Sequence, residues 1–252
     1  MMLPEERREM ILSLVMQQGI VRVDDLSHKL EASLSTIRRD LAMLEQQAAI
    51  RRVHGGAMVM PVGRLLLSPS RHVDNAAEKA RIAEKALDFI HDRDTIILDG
   101  GTTTYEIAAR LVGRPLTVIT PSIPISLALA DRPGITVILT GGILLPGTRS
   151  LGGAISRQVF EFLHADRLFL GVLGIHPDRG LVYSSAELAE LKQAAVRAAE
   201  QVIVVCDHSK FGRVGASPVI PIRDVDAVIT DRGADSRMVD RLKEQGIAVH
   251  VV

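Results

Sequence analysis

Apolar residues recur along this chain at two different spacings, and the change falls near residue 75. From residue 3 to residue 57 the spacing is helical three times over. Ile11, Leu14 and Val15 form one stripe, behind Pro4, Glu5 and Glu6. That order suits a helix start, since proline lacks the amide that would be orphaned there and acids favour the positive dipole end. Gly19 is a natural stop, and Val21-Arg22-Val23 is a short extended piece. Leu26 and Leu30 mark a second helix, capped by Asp24 or Asp25. Ile37, Leu41 and Leu44 mark a third, opened by Ser33 or Ser35, and residues 49–53 enter a hairpin turned at His54-Gly55-Gly56.

Residues 58–75, MVMPVGRLLLSPSRHVDN, break the periodicity with prolines, a glycine and serines. They read as a linker in which Leu65-Leu66-Leu67 docks on something, because an isolated apolar triplet in water is unfavourable. From residue 76, helical stretches near 76–91, 103–112, 122–131, 154–163, 185–200 and 235–245 alternate with apolar runs. Those runs are 95–98, 116–120, 135–139, 168–173, 202–206, 227–230 and 247–251. Strands that are apolar throughout and separated by helices predict a largely parallel sheet covered on both faces. The expected fold class is α/β in two parts: a winged helix-turn-helix over 3–58 and an α/β domain over 76–252, joined by a linker over 59–75.

Composition narrows the function. The chain carries 30 Lys+Arg against 30 Asp+Glu, for a formal net charge of zero, which argues against a broadly basic chromatin-type protein. Five Phe, two Tyr and no Trp argue against RNA or single-strand binding, which leans on aromatic platforms under the bases. Cys206 is the only cysteine, so neither a disulfide framework nor a thiolate metal cage forms within the chain. The start, MMLPEERREM, is too charged for a secretory leader, and no apolar run approaches the roughly 18 residues of a membrane span. A cytoplasmic protein with no membrane partner is expected. His91, His164, His176, His208 and His250 lack metal-ligand spacing, no GxSxG or HExxH occurs, and Cys206 within an apolar strand reads as a structural thiol. No metal site and no catalytic residue is expected.

Two short helices joined by a tight turn, the second exposing polar residues, is the helix-turn-helix pattern, here spanning about residues 20–39. Ser33, Ser35, Thr36, Arg38 and Arg39 can face a major groove, where hydroxyls and amides meet phosphate and arginine reads guanine edges. Arg51, Arg52 and His54, with Gly55 and Gly56, form a wing able to touch backbone or minor groove. Residues 1–57 hold eight basic and eight acidic side chains, but from Ser33 to Gly56 four Arg outnumber two acids. The same spacing also suits the solvated face of a protein-interaction module.

Asp99-Gly100-Gly101-Thr102-Thr103-Thr104 lies between an apolar run and a helix. Small residues allow close backbone approach, and helix N-terminal amides with threonine hydroxyls offer anion-binding donors; turn geometry alone would also explain them. The pattern is neither GxGxxG nor GxxxxGK[ST], so no dinucleotide or Walker site is indicated. Thr120-Pro121-Ser122, Gly141-Gly142 and Asp207-His208-Ser209-Lys210 close other strands, so these loops can converge on one crevice. Lys210 with Asp207 can hold sugar hydroxyls, or form a plain surface ion pair.

Ser35-Thr36-Ile37-Arg38-Arg39-Asp40-Leu41, Leu44-Glu45 and Arg52-Val53-His54-Gly55-Gly56-Ala57 resemble the N-terminal signature of DeoR-type bacterial transcriptional regulators. Ala48 stands where Gly is usual before the wing, and Ala32 where Val is frequent. The resemblance extends over nearly the whole chain through Lys79 with Ile82-Ala83, Asp99…Thr102-Thr103, Gly141-Gly142, Gly171…Gly174-Ile175, Glu187…Lys192 and Asp207–Gly212. It implies a sensor domain similar in fold to ribose-5-phosphate isomerase, with a phosphorylated sugar, polyol or sugar-acid effector and no resident cofactor. By that likeness Lys79, Gly101, Thr102 and Thr103 take the phosphate, while Asp207, Lys210, Glu187 and Arg149 face the sugar. Asp99, Gly100, Thr120, Ser122 and Gly142 complete the expected site. Gly100 replaces a frequent Ser, implying one hydroxyl donor fewer, and Pro121 replaces a common Asn, removing an amide.

The expected function is a repressor of a carbohydrate catabolic operon, bound to double-stranded operator DNA as a homodimer or homotetramer. A sugar-phosphate isomerase with an attached DNA-binding head is the alternative, with Glu187, Asp207 and Lys210 as its acid–base and electrostatic groups. A winged-helix protein-interaction module is a third.

Overall fold

Pro4, Glu5 and Glu6 start helix α1 (Pro4–Gln18), and Gly19 ends it with a positive φ of 74°. The chain, seen in a computed structural model that describes residues 3–46, 50–53, 55–59 and 74–252, divides into two compact units, 1–72 and 73–252. In the first unit, β1 (Ile20–Arg22), α2 (Val23–Lys29), α3 (Leu34–Gln46), β2 (Ile50–Val53) and β3 (Gly56–Val59) follow α1. β3 pairs antiparallel with both β1 and β2, so the expected hairpin is the greater part of a three-stranded sheet. Ile11, Leu26, Ile37, Leu41 and Ile50 are each at most 2% exposed and anchor this unit's own core. Neither Asp24 nor Asp25 caps α2. Arg22 holds the cap position without a side-chain hydrogen bond, and both aspartates lie in the first turn, where the dipole still favours them. Ser33 does open α3, its hydroxyl accepting from the Thr36 amide at 3.2 Å. Ala48, His54 and residues 60–73, with the Leu65-Leu66-Leu67 triplet and most of the expected linker, lie outside the described residues.

In the second unit, α4 (Ala76–Ala86) leads to β4 (Thr95–Leu98), α5 (Thr102–Arg110), β5 (Leu116–Thr120), α6 (Ile123–Leu129) and β6 (Ile135–Leu139). A short antiparallel pair, β7 (Ile143–Leu144) and β8 (Leu151–Gly152), precedes α7 (Gly153–Phe162) and β9 (Ala165–Leu170). Next come β10 (Gly174–His176), β11 (Gly180–Tyr183), α8 (Ala186–Arg197), β12 (Ala199–Val205) and β13 (Ser217–Pro218). The unit closes with β14 (Ala227–Thr230), α9 (Ser236–Glu244) and β15 (Ala248–Val251). Seven strands form one sheet in the order β15-β14-β12-β9-β4-β5-β6, with every neighbouring pair parallel. Its middle is sealed: Ile96, Ile97, Leu98, Leu168, Phe169, Leu170, Ile203 and Val204 are fully buried.

From β4 the chain builds outward through β5 to β6, then returns to lay β9 on the opposite side of β4. The β4–β9 junction is thus the topological switch point, and in open α/β sheets ligands bind beyond the carboxyl ends of the strands at such a point. Two strands begin three residues before their apolar runs. Asp166 and Arg167 of β9 lie where polar side chains find local partners, Asp166 accepting from the Thr95 amide at 2.7 Å and Arg167 pairing with Asp94. Outside the main sheet, β10, β11 and β13 make a small antiparallel one that the apolar runs do not predict.

Candidate functional site

On the first unit, Ile37, Leu41 and Leu44 turn one face of α3 inward, leaving Ser33, Ser35, Arg38 and Arg39 exposed and Thr36 half-buried. The three hydroxyls cluster at the helix start, with Ser33 Oγ 2.9 Å from Ser35 Oγ and 2.8 Å from Thr36 Oγ1. Such a helix N-terminus suits a phosphate oxygen. Local acids are already engaged. Asp40 is buried against Arg7 at 2.5 Å, and Glu45 accepts from the Arg52 amide at 3.0 Å with its guanidinium 3.8 Å away. Among the described residues Arg38, Arg39 and Arg51 make no ion pair, so the local positive surplus is available to a polyanion. Gly56 packs so closely that a Cβ there would lie under 3.0 Å from the Val21 carbonyl oxygen, which ties the exposed Gly55 turn to β1. His54 lies outside the described residues.

On the second unit the carboxyl edge of the sheet carries two buried charge systems. Asp99, the residue after β4, binds the Lys192 ammonium and accepts from the Gly171 amide at 3.1 Å; Lys192 also donates to the Gly171 carbonyl at 3.1 Å. The Lys192 ammonium lies 4.3 Å from the centroid of the Tyr183 ring. Lys192 stands within α8 and spans the switch point from there.

The second system begins β12's trailing loop. Asp207 Oδ1 accepts from Asn75 Nδ2 at 2.8 Å and from the Ser209 amide at 3.0 Å, and also from the Ser209 hydroxyl. Its Oδ2 is buried with no hydrogen-bond partner among the described residues. Burial pushes this carboxyl up, but the bonds from Ser209 and Asn75 and the nearby Lys210 charge outweigh it, and the group sits below the ordinary carboxylate value. Lys79 Nζ is 3.9 Å from Oδ2, and burial holds its ammonium below the ordinary lysine value against the pull of Asp207. Lys79, not Lys210, is therefore the lysine at ion-pair distance from Asp207. Burial raises the Cys206 thiol well above its ordinary value, in keeping with a structural role.

The loops between these systems hold the remaining expected residues. Gly101 precedes α5 and no side chain caps that helix, so its first amides, with Thr102 half-buried beside them, are open to an acceptor. Thr103 is buried. Thr120 is fully buried, and its hydroxyl is committed to the Leu98 carbonyl at 2.7 Å; Ser122 caps α6. Both hold the loop rather than project from it. Pro121 accepts from the Leu151 amide at 2.8 Å, and a Cβ on Gly100 would lie under 3.0 Å from Ser150 Oγ. The hydroxyl missing at position 100 is thus met by one from position 150. Gly142 is exposed beside β8, Glu187 is exposed in the first turn of α8, and Arg149 turns the chain with a positive φ of 54°. No pattern in the chain singles out Asn75, Ser150 or Asp231, whose carboxylate holds the His208 ring at 2.9 Å. Each is a single polar residue outside any motif, and the side-chain partners of Asn75 and Asp231 lie 132 and 23 positions away.

Residues 7–61 match the model of the DeoR-like helix-turn-helix domain, and residues 74–232 that of the DeoR C-terminal sensor domain. The chain is 36% identical to a putative aga operon transcriptional repressor of Escherichia coli O157:H7, across 98% of this chain and 93% of that one. It is 32% identical to the HTH-type transcriptional regulator GolR of Listeria innocua, across 99% of both, and 34% identical to the HTH-type transcriptional repressor GlcR of Bacillus subtilis, across 99% and 97%. The ribose 5-phosphate isomerase A of Methanocaldococcus jannaschii superposes with a TM-score of 0.41 at 15% identity over 55% of either chain. With both domain models matched in order and full-length relatives above 30% identity, the chain belongs to the DeoR family of helix-turn-helix transcriptional regulators.

Proposed function

We propose that this regulator represses a carbohydrate-utilisation operon and answers to a phosphorylated sugar, polyol or sugar acid bound at the carboxyl edge of its parallel sheet. The observation that carries the effector reading is Asp207, whose buried Oδ2 lacks a donor while Lys79 stands at its side. The uncapped start of α5 follows β4, two strands from β12, about 10 Å away at ordinary strand spacing. Donors for an anion and an acceptor for hydroxyls therefore share one edge, as a sugar phosphate requires. The names of two relatives, an aga operon repressor and the repressor GlcR, support the operon class and the sign of control.

The protein acts in the cytoplasm as a homodimer or homotetramer, its reading heads spaced on paired half-sites. It binds its effector without converting it. Control needs unequal effector affinity in the DNA-competent and DNA-incompetent states, since a ligand that binds both equally shifts nothing.

The test uses the intact chain. Duplexes selected from a random library define its operator, and a thermal-shift panel of phosphorylated sugars, polyols and sugar acids finds the ligand that stabilises it. That ligand is expected to change operator affinity and to be recovered chemically unchanged. A ligand that binds tightly and leaves operator affinity untouched sinks the sensor mechanism, and turnover establishes the isomerase alternative.

A further inference from the structure

We infer that Ser150 is a specificity-determining residue of the effector site, its hydroxyl a donor to the anionic end of the ligand at the start of α5. The inference rests on the sensor function proposed above and names one further contact within it.

Gly100 leaves the space beside the β4–α5 loop empty, and Ser150 Oγ fills it: a Cβ at position 100 would lie under 3.0 Å from that oxygen and 3.9 Å from Ser122 Cβ. The placement is built rather than incidental. Ser150 pairs with Ser122 in an antiparallel bridge, the Ile123 amide donates to Arg149 O at 3.1 Å, and the Leu151 amide to Pro121 O at 2.8 Å. On its other side the Leu145 amide donates to Ser150 O at 2.9 Å, while the Ser150 amide donates to Thr148 Oγ1 at 3.1 Å. Residue 150 is 5% exposed, yet among the described residues its hydroxyl has no hydrogen-bond partner. A backbone pinned this firmly, with its polar tip unused, fits a group held ready for something else.

Two residues further along the loop α5 begins without a side-chain cap, so its first amides lack acceptors too. The neighbouring carboxylate, Asp99, is neutralised by Lys192 and does not repel an anion. Hydroxyl and amides of this kind suit a tetrahedral oxyanion such as a phosphate monoester.

The experiment compares the intact protein with Ser150→Ala and with Ser150→Ala/Gly100→Ser, which returns a hydroxyl to the same space from the other loop. Thermal shifts are recorded against inorganic phosphate and glucose 6-phosphate, with chloride at matched ionic strength. Phosphate and its ester are expected to stabilise the wild type, Ser150→Ala to weaken their apparent affinity about tenfold, and the double variant to recover most of it. Should Ser150→Ala fail to fold, Ser150→Cys, close in shape and a weak donor, takes its place. Equal phosphate affinity in wild type and Ser150→Ala overturns the role of Ser150 and leaves the sensor function standing. A wild type that responds to neither inorganic phosphate nor glucose 6-phosphate overturns the role of Ser150 as an anion donor, while the sensor function stands or falls with the wider ligand panel.

Discussion

Lys79 Nζ stands 3.9 Å from Asp207 Oδ2, yet it gives its short hydrogen bond, 2.6 Å, to the carbonyl of Asp74. Asp207 in turn spends its other oxygen on Asn75. The entry to α4 is thereby tied to the end of β12 by the two side chains a ligand would draw upon. Any effector that recruits Lys79 or Asp207 works against bonds to residues 74 and 75 at the entry to α4.

Asn75→Ala is expected to lower stability at neutral pH by about 1.5–3 kcal/mol, the usual worth of a hydrogen bond to a charged group. The pH dependence has a definite sign. Asp207 sits below the ordinary aspartate value of 3.8, so its stabilisation is complete above that value and fades as pH falls through the lower native one. Losing Asn75 moves the native value back up, so the gap between wild type and variant narrows in acid. Urea midpoints across an acid titration check this, and a constant gap shows that the bond does not favour the carboxylate.

The Asp99–Lys192 pair lies at the switch point with both side chains buried. Lys192→Met leaves the Asp99 charge uncompensated and is expected to cost about 3–5 kcal/mol. Asp99→Asn/Lys192→Met removes both charges and is expected to be the more stable of the two variants. A double-mutant cycle measured by denaturant unfolding isolates the coupling, and additive losses would show that the pair is not coupled.

The chain's patterning foretells the parallel sheet best where a strand is apolar or threonine from end to end, even in the partly exposed edge strand β6. The runs at 95–98, 116–120, 135–139 and 227–230 are the observed β4, β5, β6 and β14. It loses β9 and β12 at their amino ends, where Asp166, Arg167 and Glu200 occupy strand positions with polar partners. It misses β7, β8, β10, β11 and β13, each two to four residues long and too short for a period to register. At the candidate site, Asp207 and Lys79 were legible as residues but not as a pair, because the sequence places Lys210 closest to Asp207. Ser150 was not legible at all: its significance lies in the volume that Gly100 leaves, which no local pattern encodes.

Gly56→Ala tests how the wing is held. The added methyl would meet the Val21 carbonyl, a backbone atom fixed in the β1–β3 ladder where Arg22 faces Gly56. Overpacking of this kind costs about 1–3 kcal/mol. Because relief requires β3 to move away from β1, operator affinity is expected to fall as well. Retention of both stability and affinity would show that the ladder yields without consequence.

Arg51 and Arg52 are neighbours on the wing in different electrostatic settings. Arg52 lies 3.8 Å from Glu45 with both side chains nearly half exposed, a pair that contributes little to stability but partly offsets its charge toward DNA. Arg51 is exposed and, among the described residues, makes no ion pair. A phosphate contact by Arg51 releases one condensed counterion, so Arg51→Ala should flatten the slope of log affinity against log salt by about 0.9. The loss should be equal on operator and random duplex, because phosphates carry no sequence. Arg38→Ala and Arg39→Ala, on the exposed face of α3, should instead reduce operator affinity more than random-duplex affinity, by about 1–3 kcal/mol where a guanine is read. Salt titrations of the four proteins on both duplexes separate these contributions. An unchanged slope for Arg51→Ala removes the wing from the DNA interface, and uniform losses for Arg38→Ala and Arg39→Ala reduce α3 from a reader of sequence to a backbone clamp.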